Sequence, residues 1–398
     1  HMMRAADTDS APAVVVRDLR LERAGDIQRL SASVDDTVIW YQIPADIPLS
    51  ARAEAFLAPA MFEAMVRNAP VVVESESPVS PTLLQGLATA QSVFRCWNPD
   101  LFTVDIQAQT AAPDMRFDSA ICCFSGGVDS SYTLTSLDDQ ISHLLLVQGF
   151  DTWRSADDWL ENRKARARFA GVAGKKLIAV DTNVRNFIED RGIYWGLVLG
   201  SILAGVGVTL APRYFLIPSS WTYQDLHAYG SHPLVDPLWS TEATVVEHHG
   251  ADKRRSEKIG RIADSQAMLD QLQVCWKSCS QNCGECPKCV RTSLVLYLLG
   301  RESRNLPPYT TNRQLGVLKP GGEGTMPFIE DLILACEQHG EQDIGRRLKR
   351  MRRRALLGEA AVDFARALTG EWGRRLRRKL SREEWLGYRA TLRSKRTL

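Results

Sequence analysis

The hexapeptide Ser125-Gly126-Gly127-Val128-Asp129-Ser130 sits between the apolar run Ala120-Ile121-Cys122-Cys123-Phe124 and a helix-like stretch from Ser131. Paired glycines let the backbone turn sharply and bring N–H groups close to an anion. The helix that follows adds its unsatisfied N-terminal donors and the positive end of its dipole. Ser125 and Ser130 contribute hydroxyls and Asp129 a carboxylate, so the pattern is that of a phosphate-binding loop at a strand-to-helix junction. The Gly-x-x-x-x-Gly-Lys-Ser/Thr lysine is missing, and a P-loop NTPase reading, which needs that lysine beside the terminal phosphates, fails.

Five of the nine cysteines fall within fifteen residues, at Cys275, Cys279, Cys283, Cys286 and Cys289. Cys283-Gly284-Glu285-Cys286-Pro287-Lys288-Cys289 supplies three thiolates at knuckle spacing, with a glycine for the tight turn, and a more distant cysteine closes a tetrahedral shell. Either Cys275 or Cys279 is that fourth ligand. Cys275 is favoured because its longer reach lets the chain return around the ion. Zinc is the expected metal, with an iron–sulfur cluster as its rival. Disulfides are disfavoured, since nothing else in the chain suggests secretion. Cys122 and Cys123 precede the glycine loop closely enough for a sulfur-carrier role, because a thiolate near a helix N-terminus is acidified. The opposing reading is that both are core residues of a strand, with alternation letting only one face the site.

Ser-Gly-Gly-x-Asp-Ser resembles the signature of the PP-loop, or N-type, ATP pyrophosphatases. That family includes asparagine synthetase, argininosuccinate synthetase, tRNA thiolation enzymes and 7-cyano-7-deazaguanine synthase. Its members split ATP between the α- and β-phosphates, adenylate a carbonyl or carboxylate oxygen, and let a nucleophile displace AMP. The resemblance implies that Ser125, Gly126, Gly127 and Ser130 hold the pyrophosphate, with Asp129 orienting the loop or meeting magnesium. It implies that Gly149, Phe150, Asp151 and Asp181 meet the adenosine. Lys258 and Arg255, downstream of the proline-rich stretch Ser231–Glu242, are then the cations that stabilise charge developing on phosphate. The Cys-Gly-x-Cys-x-x-Cys portion is similar to the structural zinc cluster of 7-cyano-7-deazaguanine synthases, although the upstream cysteine spacing departs from theirs. The resemblance covers about residues 115–300. It implies ATP, Mg2+ and Zn2+ as cofactors, and amidation or nitrile formation on a small acid. A sulfur transferase making a thiocarbonyl on a nucleobase, amide or tRNA is the alternative reading. A non-catalytic nucleotide- or RNA-binding protein is another.

These residues need a scaffold, and the apolar runs provide one. His143–Asp151, Lys176–Thr182 and Tyr214–Pro218 read as buried parallel strands. Helix patterns span about Ser155–Ala173 and Tyr194–Leu210. The expected fold class is α/β: a parallel-sheet, HUP-like PP-loop nucleotide-binding domain over 115–300. An N-terminal α+β unit over 1–114 precedes it, with strands at Val14–Val16, Thr37–Tyr41 and Val71–Val73 and helices around Arg52–Val66 and Pro81–Gln91. A helical, Arg-rich region over 301–398 follows. Ligands of such sheets sit at the carboxyl ends of the strands, which gathers the glycine loop, Gly149–Asp151, Asp181–Asn183 and Ser219–Thr222 around one crevice. His232, His248 and His249 are candidate bases or further metal ligands.

At 398 residues and 44% apolar content the chain can bury a large core divided among two or three units. It has no run of eighteen apolar residues and no charged-then-apolar start, so a cytoplasmic protein without a membrane span is expected. The net charge of +2 hides an asymmetry, because residues 346–398 carry 18 Lys or Arg against 5 Asp or Glu. That tail suits a nucleic-acid backbone or an acidic carrier as well as a solvated helical face. The partners expected are therefore a small-molecule substrate, a sulfur or ammonia donor protein, nucleic acid through the tail, and a second copy in a homodimer.

Overall fold

The computed structural model describes residues 11–74, 76–150, 155–321 and 324–368. β1 (Val14–Ala24), β2 (Ile27–Val34) and β3 (Thr37–Pro44) pair antiparallel in succession. α1 (Glu54–Arg67) leads into β4 (Val71–Val73), and α2 (Pro81–Trp97) into β5 (Ile106–Gln107). Strands and helices then alternate through β6 (Phe117–Cys123), α3 (Val128–Ser136), β7 (Ile141–Val147), α4 (Ala156–Val172) and β8 (Lys176–Thr182). α5 (Val184–Asp190), α6 (Trp195–Leu210), β9 (Pro212–Pro218) and β10 (Val245–His249) follow. α7 (Arg255–Ile262), α8 (Gln266–Asp270) and α9 (Pro287–Leu298) complete the sequence to Val317.

Among the described residues, ten strands form one mostly parallel sheet, in the order β10-β9-β6-β7-β8-β3-β2-β1-β4-β5. The five strands from β10 to β8 are parallel throughout. Counted from β6 in chain order, they run 3-2-1-4-5 from β8 to β10, the order of a doubly wound α/β sheet, and the direction of winding reverses at β6. The α/β class expected from the sequence is thus present. The N-terminal strands extend the same sheet, because β3 pairs antiparallel with β8 through Tyr41↔Thr182 and Gln42↔Asp181. The boundary drawn at 114/115 therefore falls between two strands of one continuous sheet. The chain divides instead between Val317 and Leu318 into two compact units.

The parallel strands are covered on both faces, which explains their unbroken apolar character. Ile121, Cys123, Leu145, Val147, Phe215 and Ile217 point into a core shared with α1 and α6. Their neighbours Ala120, Cys122, Leu144 and Leu216 are buried on the opposite face, the side on which the crossover helices α3 and α4 lie. α6 is almost wholly buried and carries no charge, so it lacks an amphipathic stripe. Its Gly205 allows a close approach: a Cβ there would sit 3.1 Å from the Glu54 carbonyl oxygen of α1.

The second unit, described through residue 368, is a helical hairpin of α10 (Met326–Gln338) and α11 (Gln342–Leu368), turned at Gly340 with φ +75°. Ile329, Leu332, Ile333, Ile344 and Leu348 are buried, and Lys349 pairs with Glu337 at 2.7 Å. Arg346 and Arg347 are exposed. The second basic run of the tail, residues 374–379, lies outside the described residues.

Candidate functional site

The glycine loop leaves the carboxyl end of β6, the strand at which the sheet changes winding direction. Gly126 is left-handed at φ +82°, and a Cβ there would sit 1.6 Å from the Arg166 Nη1, so only glycine fits. Gly127, extended at φ −76° and ψ 176°, is the N-cap of α3. Its N–H donates to Ser125 Oγ at 3.3 Å, while Ser130 Oγ donates to the Gly127 carbonyl at 3.2 Å. Both serines thus brace the loop. Asp129 lies in the first turn of α3, where a carboxylate suits the dipole.

α7 brings two cations to that carboxylate. Lys258 Nζ lies 3.1 Å from Asp129 Oδ1, and Arg255 Nη1 lies 3.0 Å from Oδ2. The Lys258 side chain is 1% exposed, that of Arg255 9% and that of Asp129 17%. Burial would raise the Asp129 pKa, but the charges of Lys258 and Arg255, the Lys258 hydrogen bond and the more distant Lys288 outweigh it and hold the carboxyl below its ordinary value. Arg255 Nε is buried with no hydrogen-bond partner among the described residues. One carboxylate therefore faces three cations, an imbalance that attracts an anion.

Arg166, on α4, carries a further buried positive charge behind the loop. Its Nη1 donates to the Gln271 carbonyl at 2.8 Å and to Gln271 Oε1 at 2.7 Å, and no carboxylate among the described residues pairs with it. Burial brings its pKa down to about 10. As one arginine among the charges of α4 it carries no signal in the sequence. Only contact with a loop distant in sequence distinguishes it.

The Sγ atoms of Cys275, Cys283, Cys286 and Cys289 lie within 4.8 Å of one another and could hold a metal ion such as zinc. Cys279 is buried but stands outside this set, so Cys275 is the fourth member. Gly284 makes the turn at φ +71°. Backbone N–H groups are aimed at the sulfurs: Lys277 to Cys275 at 3.3 Å, Cys286 to Cys283 at 3.2 Å, and Cys289 to Cys286 at 3.4 Å. Such donors stabilise thiolates, and an all-sulfur donor set suits a soft or borderline cation. All nine cysteines are free of disulfides.

Compared with known proteins, this chain matches no family model, no curated protein and no solved structure.

The other residues singled out from the sequence fall around or away from this crevice. Gly149, at φ +82°, lies in the turn two residues beyond β7, and its carbonyl accepts from Arg185. Phe150 packs edge-on against Trp195 with ring centroids 4.9 Å apart. Asp151 lies outside the described residues. Asp181, near the end of β8, accepts from Trp159 Nε1 at 2.7 Å and pairs with Arg163 at 3.4 Å. Cys122 is fully buried and burial pushes its thiol pKa up, so it offers no thiolate, while Cys123 belongs to the core shared with α1 and α6.

The histidines take structural partners. His248 Nδ1 lies 2.7 Å from the buried Asp236 Oδ2, His232 packs on Trp97, and His249 Nδ1 lies 3.0 Å from Thr133 Oγ1 on α3. The proline-rich stretch is clasped by α2 through Glu242, which accepts from Ser80 Oγ at 2.6 Å and the Thr82 N–H at 2.9 Å. Among the described residues no helix is long and apolar enough to cross a membrane.

Proposed function

We propose that the chain binds ATP with its phosphates on residues 125–130 and is an adenylate-forming enzyme of the PP-loop ATP pyrophosphatase kind. The observation that carries this reading is the glycine loop at the carboxyl end of β6, faced by the buried Lys258 and Arg255 of α7. Ligands of doubly wound sheets bind where the strand order reverses, and the loop stands there. Loop N–H groups and the start of α3 cradle the phosphates, while Arg255 and Lys258 neutralise the charge that grows on pyrophosphate as the α-phosphorus is attacked. Asp129 is the carboxylate that would hold magnesium, whose charge would further offset that of the phosphates. A carbonyl or carboxylate oxygen of a small molecule attacks, pyrophosphate leaves, and a nitrogen nucleophile then displaces AMP. The nitrogen reading is preferred to sulfur transfer through Cys122 or Cys123, because both thiols are buried and Cys122 stays protonated.

The test is turnover of α-³²P-labelled ATP with magnesium and pools of carboxylates, nucleobases and amides. Wild type is compared with Ser125→Ala and Asp129→Ala at a temperature where all three are folded by circular dichroism. Labelled AMP that appears with one substrate class and disappears in both variants is the expected result. ADP as the product, or no product despite measurable ATP binding, overturns adenylation.

A further inference from the structure

The cysteine centre and the phosphate loop are joined by a short, heavily hydrogen-bonded stretch. The Gln273 N–H donates to the Gly126 carbonyl at 2.8 Å, two residues before Cys275. Gln273 Nε2 donates to the Ser278 and Gln281 carbonyls, both at 3.0 Å, and so spans the chain between Cys275 and Cys283. Asn282 Oδ1 accepts from the N–H groups of Val274 at 2.8 Å and Cys275 at 3.1 Å. Upstream, Gln271 grips Arg166 with its two oxygens and donates to Ser131 Oγ of α3 at 2.8 Å. Downstream, Cys286 is the N-cap of α9, which places Lys288 in its first turn.

We infer that Gln273 is a positioning residue through which the filled cysteine centre fixes the phosphate loop, so that metal occupancy sets the affinity of that loop for phosphates. The inference rests on the reading of residues 125–130 as a phosphate site. Four sulfurs gathered within 4.8 Å of one another are held together by a shared cation. Without it the cluster spreads, and Cys275, eight residues before the nearest of the other three, is displaced first. Gln273 moves with Cys275. Its N–H then no longer holds the Gly126 carbonyl, and the left-handed turn that aims the loop loses its support.

The test follows hydrogen exchange by mass spectrometry in the full chain, metal-loaded and after chelation, together with calorimetric binding of inorganic pyrophosphate and far-ultraviolet circular dichroism. Metal removal is expected to speed exchange in peptides covering 121–131 and to weaken pyrophosphate binding at least about tenfold, the scale of effects from residues that support a metal ligand. Gln273→Leu keeps all four cysteines. It is expected to retain its metal and yet show faster exchange over 121–131 and weaker pyrophosphate binding, and it decides the matter if chelation unfolds the chain. Unchanged exchange over 121–131 in a folded metal-free chain overturns the inference, as does a metal-loaded Gln273→Leu variant that behaves as wild type. Failure of the metal-loaded wild type to bind pyrophosphate instead removes the phosphate reading, and the exchange measurement still tests the coupling.

Discussion

Lys258 Nζ lies 3.1 Å from Asp129 Oδ1 and donates to the Ser219 carbonyl at 2.5 Å, tying α7 at once to the glycine loop and to the end of β9. An ammonium buried this deeply is held by its partners, because an unpaired charge there would be costly. Asp129 pairs with both Lys258 and Arg255, and its single negative charge leaves a positive excess beside the glycine loop.

Replacing that carboxylate therefore has a definite signature. Asp129→Asn leaves Lys258 and Arg255 without a counter-charge and should cost about 3–5 kcal/mol in urea unfolding at pH 7. Pyrophosphate should raise the melting temperature of the variant by more than that of wild type, since it supplies the missing negative charge. The Asp129 pKa is depressed below its ordinary 3.8, so its contribution is complete above that value and is lost as the pH falls through the folded-state pKa. The gap between wild type and variant should thus stay constant from pH 7 to 5 and shrink only below about pH 4. A gap that closes near neutrality would mean that Asp129 does not carry the charge assigned to it.

The cysteine centre separates its members by position. Cys275→Ser should lose the metal measured by elemental analysis of the purified chain, and its melting temperature should fall, because structural metal binding adds directly to folding stability. Cys279→Ser should retain both the metal and the melting temperature. Metal loss in the Cys279 variant with retention in the Cys275 variant would reverse the assignment.

The parts of this molecule that could be read from its sequence are those where chemistry and local order coincide. Paired glycines after an apolar run fixed the strand–loop–helix junction, and knuckle spacing fixed three of the four sulfurs. β2 escaped because its inward positions are Gln28, Leu30, Ala32 and Val34, an alternation diluted by a buried glutamine and an alanine. Gln28 is tolerated inside because its Nε2 reaches the Pro44 carbonyl at 2.9 Å and the Ile47 carbonyl at 2.5 Å. β10 escaped because Val245–His249 is short and ends in two histidines. The β3–β8 pairing links residues about 140 apart through only two register pairs, and no local pattern announces that. Arg166, Gln271 and Gln273 carry no local signal for the same reason, since each acts on the glycine loop from more than thirty residues away.

The clasp at the proline-rich stretch gives a prediction for stability alone. Glu242 accepts from Ser80 Oγ and the Thr82 N–H at the start of α2, which brings its pKa down to about 2 against burial, which would raise it. Glu242→Gln should cost about 1 kcal/mol at pH 7, the scale of a helix-cap bond. A lowered pKa means that the contribution is present above the ordinary glutamate value near 4.5 and is lost as the pH falls toward 2. Denaturation midpoints of wild type and variant should therefore converge between pH 4.5 and 2. The ATP binding proposed for the glycine loop should be unchanged at neutral pH, because neither acceptor bond touches that loop.

Gly126→Ala separates the geometry of the loop from its charges. The new methyl group meets both a backbone at φ +82° and the Arg166 guanidinium, which is buried and tied to Gln271. The left-handed backbone alone costs an alanine about 1 kcal/mol, and displacing a packed side chain adds to that. The expected loss is about 2–4 kcal/mol in urea, together with weaker pyrophosphate binding although every charged residue of the site remains. Gly127→Ala has easier terms: the backbone there is extended, and the nearest atom, Ser125 Oγ, is 3.3 Å from the added carbon. That variant should lose less than half as much stability. Equal losses at the two glycines would show that the left-handed turn and its contact with Arg166 do not govern the loop.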